Sequence, residues 1–505
     1  MKDKTKQVII SNLTRDMINQ KRLEEIYLHS TIWKSLLRII VPTVLSMAVF
    51  SLYSIIDQII AIQYGSGNQI FIHGSLDSKD IRTVIQLAQP FWGILIGIGV
   101  FITTGVGNKF GMFLGEANFK RAKDTLSNGY FYNFIFYFFL LFFCFIFSKK
   151  IIELQFSSAN VSLDKHNEIV NLSYYTTLIW AFFAVFYFIS NIAIIGLRVE
   201  GYPTFAFLTI FFSSILNVAL DFLFTIVFHW GVLGTIFATG IAWFFQFIAS
   251  FLFCFWKKVY VIFEALKIKK DALTKTIIFA CFIFGFPSLF RNFAQAINTW
   301  FFNLILDFQS SRSDPKSLGY WVSIFGAITP IINLFVISVF GFLQSMNIFI
   351  PYNYAHKKNE RIIKSVWICI FFVVVYLLFV EILCFFIGDN LLSLFIPKDI
   401  NNPHELSDAT HALRNLFLLF PLLGVSLVVS GFYQSIQKVS KSVLIIFLRF
   451  VLIYFVVLTL LYLLGKKYNN NYLVFYVTPI TDLLVTFISV PLLMFDFKKL
   501  KQGKY

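Results

Sequence analysis

The sequence predicts an all-α polytopic membrane protein of about twelve transmembrane helices in two pseudo-symmetric six-helix lobes. Three observations lead there. Only 13% of the 505 residues are charged and 58% are hydrophobic, with a mean hydropathy of +0.76, against roughly 25% charged in an ordinary soluble domain. Apolar runs long enough to cross a bilayer recur along the whole chain. Lys and Arg concentrate in alternate connections between those runs, as in the cytoplasmic loops of membrane proteins.

The runs place spans at about 34–63, 83–108, 128–148, 169–197, 203–228 and 231–256, then at about 274–306, 318–346, 364–388, 411–436, 442–465 and 471–495. Each reads as a helix, because an open strand edge leaves backbone groups unpaired in hydrocarbon. The basic connections hold roughly 29 of the 42 Lys and Arg and the intervening ones roughly 10, so both termini are expected in the cytoplasm. An even number of spans follows from that. The expected organisation is a cytoplasmic arm over 1–33, a first lobe over 34–256, a basic linker over 257–273, a second lobe over 274–495 and a cytoplasmic tail over 496–505. The arm has no apolar segment followed by a cleavage site, so the first span is expected to be an uncleaved anchor.

The net charge of +16 fits a cytoplasmic leaflet better than nucleic acid, because the basic residues sit in short connections. The five cysteines, Cys144, Cys254, Cys281, Cys369 and Cys384, lie in or beside apolar runs without metal-type spacing and are expected as buried free thiols. The 66 phenylalanines are expected to fill gaps between helices or face lipid. Gly93-xxx-Gly97 and Gly107-xxx-Gly111-xxx-Gly115 fit close helix contact.

The two halves echo each other at an offset of roughly 235–240 residues. Gly115-Glu-Ala-Asn-Phe-Lys-Arg-Ala-Lys123 after span two answers Tyr354-Ala-His-Lys-Lys-Asn-Glu-Arg-Ile-Ile-Lys364 after span eight. Ile195-Gly-Leu-Arg-Val-Glu-Gly-Tyr-Pro203 after span four answers Ser430-Gly-Phe-Tyr-Gln-Ser-Ile-Gln-Lys438 after span ten. Six spans return the chain to its starting side, so the repeats are parallel and leave room for alternating access between two lobes.

Carboxylates carry the chemistry. An Asp at the middle of an inserted helix costs about 2.5–3.5 kcal/mol, so Asp57 and Asp221 are expected to have a use or a partner. Counted from the outer helix ends, Asp57, Asp221 and Thr239 each lie about 10 Å deep. Asn217 shares a helix face with Asp221, one turn deeper. Two carboxylates together in a poorly hydrated pocket cannot both stay ionised cheaply. A proton taken from the outer side, or a sodium ion held by carboxylate, amide and hydroxyl oxygens, would relieve them, with Pro42 as a flexible point in span one. Mutual satisfaction as interhelical hydrogen bonds is the competing reading.

In the second half, Arg291, Asn292, Gln295 and Asn298 crowd span seven, Gln344 and Asn347 interrupt span eight, and Asp482 sits in span twelve. Arg291, Gln295, Asn298, Gln344 and Asp482 are candidates for lining a substrate cavity, with Asp482 neutralising Arg291. Structural pairing or helix packing is an equal alternative. Arg449 is expected to snorkel to the inner interface, and Glu381 has no assigned role.

Several segments in order resemble the MATE (multidrug and toxic compound extrusion) family of bacteria. They are Pro42-Thr-Val-Leu-Ser46, Leu52-Tyr-Ser-Ile-Ile-Asp57, Leu216-Asn-Val-Ala-Leu-Asp221, Gly231-Val-Leu-Gly-Thr-Ile-Phe-Ala-Thr239, Gly285-Phe-Pro287, Phe340-Gly-Phe-Leu-Gln344 with Tyr352-Asn-Tyr354, and Thr478-Pro-Ile-Thr-Asp482. The outer connections Gly65–Arg82 and Gly388–Ala412 look longer than is typical of that family. The resemblance implies a secondary antiporter of the cell membrane, not an enzyme, that exports lipophilic or cationic small molecules in exchange for H+ or Na+. It needs no cofactor beyond that ion and no nucleic acid, and a monomer is the default. It also implies that Asp57, Asn217, Asp221 and Thr239 form the coupling-ion cluster, with any Na+ held at Asp57, Asn217 and Asp221.

Rival classes fare worse. The histidines lie in loops or at helix ends, away from any mid-membrane catalytic cluster, and no phosphate-cradling G-x-x-x-x-G-K-[ST] loop is present for an ATP-driven pump. A lipid-linked oligosaccharide flippase of related two-lobe architecture is the closest alternative. Such proteins often line their cavity with several arginines, whereas Arg291 is the only basic residue the sequence places near mid-span.

Overall fold

The computed structural model describes residues 18, 20–65, 67–69, 72–76, 78–155, 163–256, 275–313, 320–396 and 404–503. The expected linker 257–273, most of the 1–33 arm and part of the Gly388–Ala412 connection lie outside these residues. The chain divides into two compact units, 1–285 and 286–505.

The first unit holds α1 (Ile32–Tyr64), α2 (Ser78–Gly115), α3 (Phe119–Gln155), α4 (Leu163–Val199), α5 (Pro203–Asp221), extended by a π-helix over Phe222–Val227, and α6 (Val232–Trp256). The helix α7 (Lys275–Ser313) crosses the division. The second unit continues with α8 (Tyr320–Ala355), α9 (Asn359–Leu392), α10 (Glu405–Phe417), α11 (Phe420–Ser435), α12 (Val439–Phe447), α13 (Ile453–Tyr468) and α14 (Val477–Lys501). A π-helix over Leu448–Leu452 joins α12 to α13, and a 3₁₀ turn over Asn471–Tyr476 leads into α14. Eleven of the described helical segments are long and apolar enough to cross a bilayer, twelve when the bent pair α10–α11 is counted as one span, which agrees with the expectation of about twelve.

Several helices overrun their sequence-predicted ends. A helix such as α3, 37 residues long, reaches about 55 Å, whereas hydropathy reads only the part that matches about 30 Å of hydrocarbon. The Gly65–Arg82 connection contains a feature the sequence did not disclose, an antiparallel hairpin of β1 (Gly67–Gln69) and β2 (Ile72–Leu76) pairing Gly67 with Leu76 and Asn68 with Ser75.

Span ten is broken rather than continuous. Leu419 takes a left-handed φ of 57°, uncommon for a branched residue, Pro421 follows in the first turn of α11, and α10 and α11 meet at 44°. The freed Leu419 N–H donates to Glu381 Oε1 at 3.0 Å. Glu381 thus caps the break, a role its sequence position did not suggest.

The repeat is written into the caps. The helices α2, α4, α8 and α11 each end with a left-handed residue, Ala117, Gly201, Lys357 and Gln437. In each the next N–H reaches back five residues, from Asn118 to Phe113, Tyr202 to Leu197, Lys358 to Asn353 and Lys438 to Tyr433, which is the Schellman arrangement. Within the first unit α4 packs on α2, α3 and α6; within the second its counterpart α11 packs on α8, α9 and α14. Outer faces carry Phe139, Phe142 and Phe145 on α3 and Phe371, Phe379 and Phe386 on α9, all exposed as lipid-facing residues would be.

Of the glycines expected at close helix contacts, Gly107 makes one, a Cβ there coming within 2.7 Å of Ile195 Cγ1, and Gly105 and Gly285 make others. A Cβ at Gly105 would come within 1.9 Å of the Cys281 carbonyl oxygen, and one at Gly285 within 2.1 Å of that of Phe101, so α2 and the start of α7 touch through backbone, whereas Gly93 faces open space. All five cysteines are free and buried.

The end of the N-terminal arm is docked. Residues 20–29 are helical, with Leu23, Ile26 and Tyr27 buried. Tyr27 donates to the Val199 carbonyl at 2.8 Å. Arg22 donates to the Glu200 carbonyl at 2.8 Å and to the Tyr202 hydroxyl, stacking over that ring. The Glu200 side chain beneath is buried, with Oε1 unpaired. Burial lifts its pKa to about 8 although Arg22 and Lys123 pull the other way.

The expected pairing of Asp482 with Arg291 and the expected snorkelling of Arg449 are both overturned. Arg449 is buried and donates through Nε to Asp482 Oδ1 at 2.7 Å and through Nη2 to Oδ2 at 3.3 Å. Arg449 lies in the π-helical segment between α12 and α13, and its guanidinium makes a two-point contact with a carboxylate on α14.

Two outcomes follow from these contacts. Folding strengthens the hold of Glu200 on its proton above the usual 4.5, so the stability present at low pH is lost as pH rises towards about 8. Glu200→Gln should therefore raise the thermal midpoint by about 2–4 °C near pH 9 and leave it almost unchanged at about pH 5, read by thermal unfolding in detergent; an equal effect at both would contradict the buried acid. Arg449→Met or Asp482→Leu alone should cost about 3–5 kcal/mol, with the double variant recovering most of it; an additive loss in denaturation would show that the two do not act as a pair.

Candidate functional site

Asp57 sits on α1 seven residues before its end at Tyr64, and Asp221 is the last residue of α5 before the π-helix. Thr239 sits two turns into α6. Asp57, Asp221 and Thr239 thus each lie six to seven residues from the end of a helical segment. The π-helix after Asp221 widens the turn there, a distortion often found at functional positions.

The four residues come together. Asn217 and Asp221 are buried on one face of α5, and Thr239 is buried opposite. Asn217 Nδ2 donates to Thr239 Oγ1 at 3.3 Å, and Thr239 in turn donates to the Thr235 carbonyl at 3.1 Å. Asp57 comes within hydrogen-bonding range of Asp221. Asp57 Oδ1, both carboxylate oxygens of Asp221 and Asn217 Oδ1 are buried with no hydrogen-bond partner. Four acceptor oxygens without a donor are out of keeping with ordinary interiors, where buried polar groups are paired. Such a set is satisfied by a proton shared between the carboxyls or by a hard cation, which takes oxygen ligands.

A cavity of about 30 Å³, room on the order of one or two waters, opens on this cluster. Asp57, Thr235 and Thr239 line it together with Tyr53, Gln58 and Gln89. Its wall includes Trp92 and Trp180, whose rings lie 4.8 Å apart; Trp92 also stacks on Trp243 at 5.5 Å and 11°, and Trp243 packs on Tyr187 at 5.0 Å. The sequence reading missed this aromatic wall and the two glutamines. Gln89 carried a usable signal, a polar residue beside Pro90 inside an apolar run, but indoles in a chain so rich in aromatics did not stand out. Pro42 lies within an unbroken α1.

In the second unit Arg291 and Asn298 are buried, Gln295 and Gln344 are half-buried, and Asp482 is buried against Arg449. Arg291 lies over the Phe340 ring at 4.8 Å. Its neighbour Asn292 donates to the Ser288 carbonyl at 2.9 Å, and Ser288 Oγ accepts from Gln434 at 2.9 Å. Asn347 accepts from Ser435 at 2.7 Å, tying α8 to α11. Among the described residues no group of His, Cys, Asp and Glu is arranged to hold a transition metal.

The family model MatE matches residues 42–223 and 293–460. The multidrug export protein MepA of Staphylococcus saprophyticus is 22% identical over 413 residues, covering 80% of this chain and 86% of its own. An uncharacterized protein of Mycoplasmoides gallisepticum is 22% identical over 535 residues, covering 90% and 88%. Among solved structures, a MOP superfamily transporter from Pyrococcus furiosus superposes with a TM-score of 0.79 at 17% identity, covering 95% of this chain and 98% of that one. An outward-facing multidrug resistance MATE family transporter gives the same score at 17% identity, covering 94% and 97%. With a family model spanning more than half its length and matching in order through both halves, the chain belongs to the MatE family and is a multi-pass membrane transporter of small molecules rather than an enzyme.

Proposed function

We propose that the protein is a secondary antiporter of the cell membrane that exports lipophilic or cationic small molecules in exchange for H+ or Na+ by alternating access. The observation that carries this reading is the set of unpaired buried oxygens of Asp57, Asp221 and Asn217 beside a small cavity. In the proposal Asp57 and Asp221 bind the coupling ion, and Asn217 and Thr239 supply amide and hydroxyl oxygens. Loading the ion removes net charge from the bundle of α1, α5 and α6, and the conformations that expose the cluster to either side then differ in affinity for it, as coupling requires. Both termini lie in the cytoplasm and the protein acts as a monomer, with lobes over 34–256 and 274–495 joined by the basic linker. An aromatic wall next to carboxylates suits organic cations. The flippase reading gains no support from Arg449, whose charge is already met by Asp482.

The test is uptake of a fluorescent organic cation into inverted proteoliposomes, driven in turn by a proton and a sodium gradient. One of the two gradients should drive uptake, Asp57→Asn and Asp221→Asn should each reduce it at least about tenfold, the cost of roughly 1.4 kcal/mol or more of coupling, and Thr239→Val should reduce it less. Transport by Asp57→Asn equal to wild type would remove Asp57 from the mechanism, and uptake independent of both gradients would contradict the antiporter.

A further inference from the structure

Arg291 is the feature of the second unit that the proposed ion coupling leaves unexplained. It sits midway along the membrane-spanning part of α7 and is 5% exposed, with Nε and Nη1 buried and unpartnered. A guanidinium stays charged at physiological pH, and charges held within a membrane protein are normally paired. Among the described residues no carboxylate forms an ion pair with Arg291, and the carboxylate the sequence offered, Asp482, belongs to Arg449. The face of Phe340 at 4.8 Å holds the guanidinium plane but leaves its donors unmet.

The same helix face carries an acceptor. Gln295 and Asn298 follow Arg291 at spacings of four and seven residues, which puts the three on one stripe. Asn298 is 7% exposed, and its Oδ1 is also buried without a partner. Arg291 and Asn298 are about 10 Å apart along the axis. A donor set lacking an acceptor and an acceptor lacking a donor thus stand two turns apart on one helix. Arg291 also falls close to where the repeat offset of roughly 235–240 residues carries Asp57, so the second unit presents a cation near the position at which the first presents an acid.

We infer that Arg291 is an anion-binding subsite, taking the anionic oxygen group of an amphiphilic molecule, with Asn298 accepting a hydrogen bond from a donor further along the same molecule. This rests on the proposed transport reading for its purpose, but its geometry is independent of the acidic cluster. The shared chemistry is a carboxylate or phosphate oxygen paired with the fork of guanidinium donors. It is supplied either by a solute or by a lipid headgroup.

The test uses the full chain in phosphatidylcholine nanodiscs and measures binding of dansyl-6-aminohexanoate and of its methyl ester by fluorescence. The carboxylate probe should bind at least about tenfold tighter than the ester, a difference of roughly 1.4 kcal/mol. Arg291→Gln should erase that preference without weakening the ester, and Arg291→Lys should keep most of it. Adding phosphatidylglycerol should compete with the carboxylate probe in the wild type but not in Arg291→Gln if lipid phosphate is the occupant, and leave it bound if a solute carboxylate is; either supports the subsite. Equal binding of both probes to wild type with no effect of phosphatidylglycerol would overturn it, as would a preference that survives Arg291→Gln. Unaltered ester binding shows that the variant is folded. The Asp57→Asn protein separates the two readings, because it should lose ion-driven transport while keeping the Arg291-dependent preference.

Discussion

Two carboxylates brought together inside hydrocarbon set the terms for the first unit. Asp57 and Asp221 belong to different helices, and the contact between them exists only because α1 packs along α5 while α6 closes the far side with Thr239. Among the described residues neither acid forms an ion pair, and Asp57 Oδ1 and both carboxylate oxygens of Asp221 lack a donor. In the proposed mechanism a proton or small cation meets the cost of that arrangement. A bundle whose energy changes with occupancy of one small site is the physical requirement for coupling a gradient to movement.

The second unit resolves a similar problem in the opposite way. Its fold reuses the helix order and the cap geometry of the first, two such caps in each unit, with α11 taking the central place of α4. Yet its buried acids are held, Asp482 by Arg449 in a two-point contact and Asp496 by Lys441 and Tyr433, and Arg291 forms no ion pair among the described residues. The first unit therefore holds a pair of acids with no ion pair among the described residues, whereas the second has its buried acids neutralised and Arg291 without a carboxylate. Two copies of one architecture have been given unlike electrostatics, and the division of labour proposed for them follows from that difference rather than from the fold.

Much of this was legible before any coordinates. Hydropathy places the spans because the hydrocarbon thickness fixes their length, and the shared depth of Asp57, Asp221 and Thr239 follows from counting inward from helix ends. What sequence could not give was the direction in which side chains turn. Arg449 looks like an interfacial residue when position along the span is the only guide, but its side chain turns inward onto Asp482. The break in span ten depends on Leu419 adopting a left-handed conformation and on Glu381, 38 residues away, meeting the freed N–H. The docking of residues 20–29 had a signal in the spacing of Leu23, Ile26 and Tyr27, masked by the charges around them. The Trp92, Trp180 and Trp243 wall draws on α2, α4 and α6, and no local pattern announces a cluster of that kind.

Infrared difference spectroscopy on the purified protein, following the carbonyl stretch of protonated carboxylic acids during pH and sodium titrations, tests the central claim most directly. The account predicts a band from a carboxyl in the Asp57–Asp221 pair that fades as protons are withdrawn or sodium is added, and that is lost or displaced in both Asp57→Asn and Asp221→Asn. Spectra indistinguishable between the wild type and both variants across the two titrations would mean that the pair binds neither ion, and the coupling mechanism would be wrong.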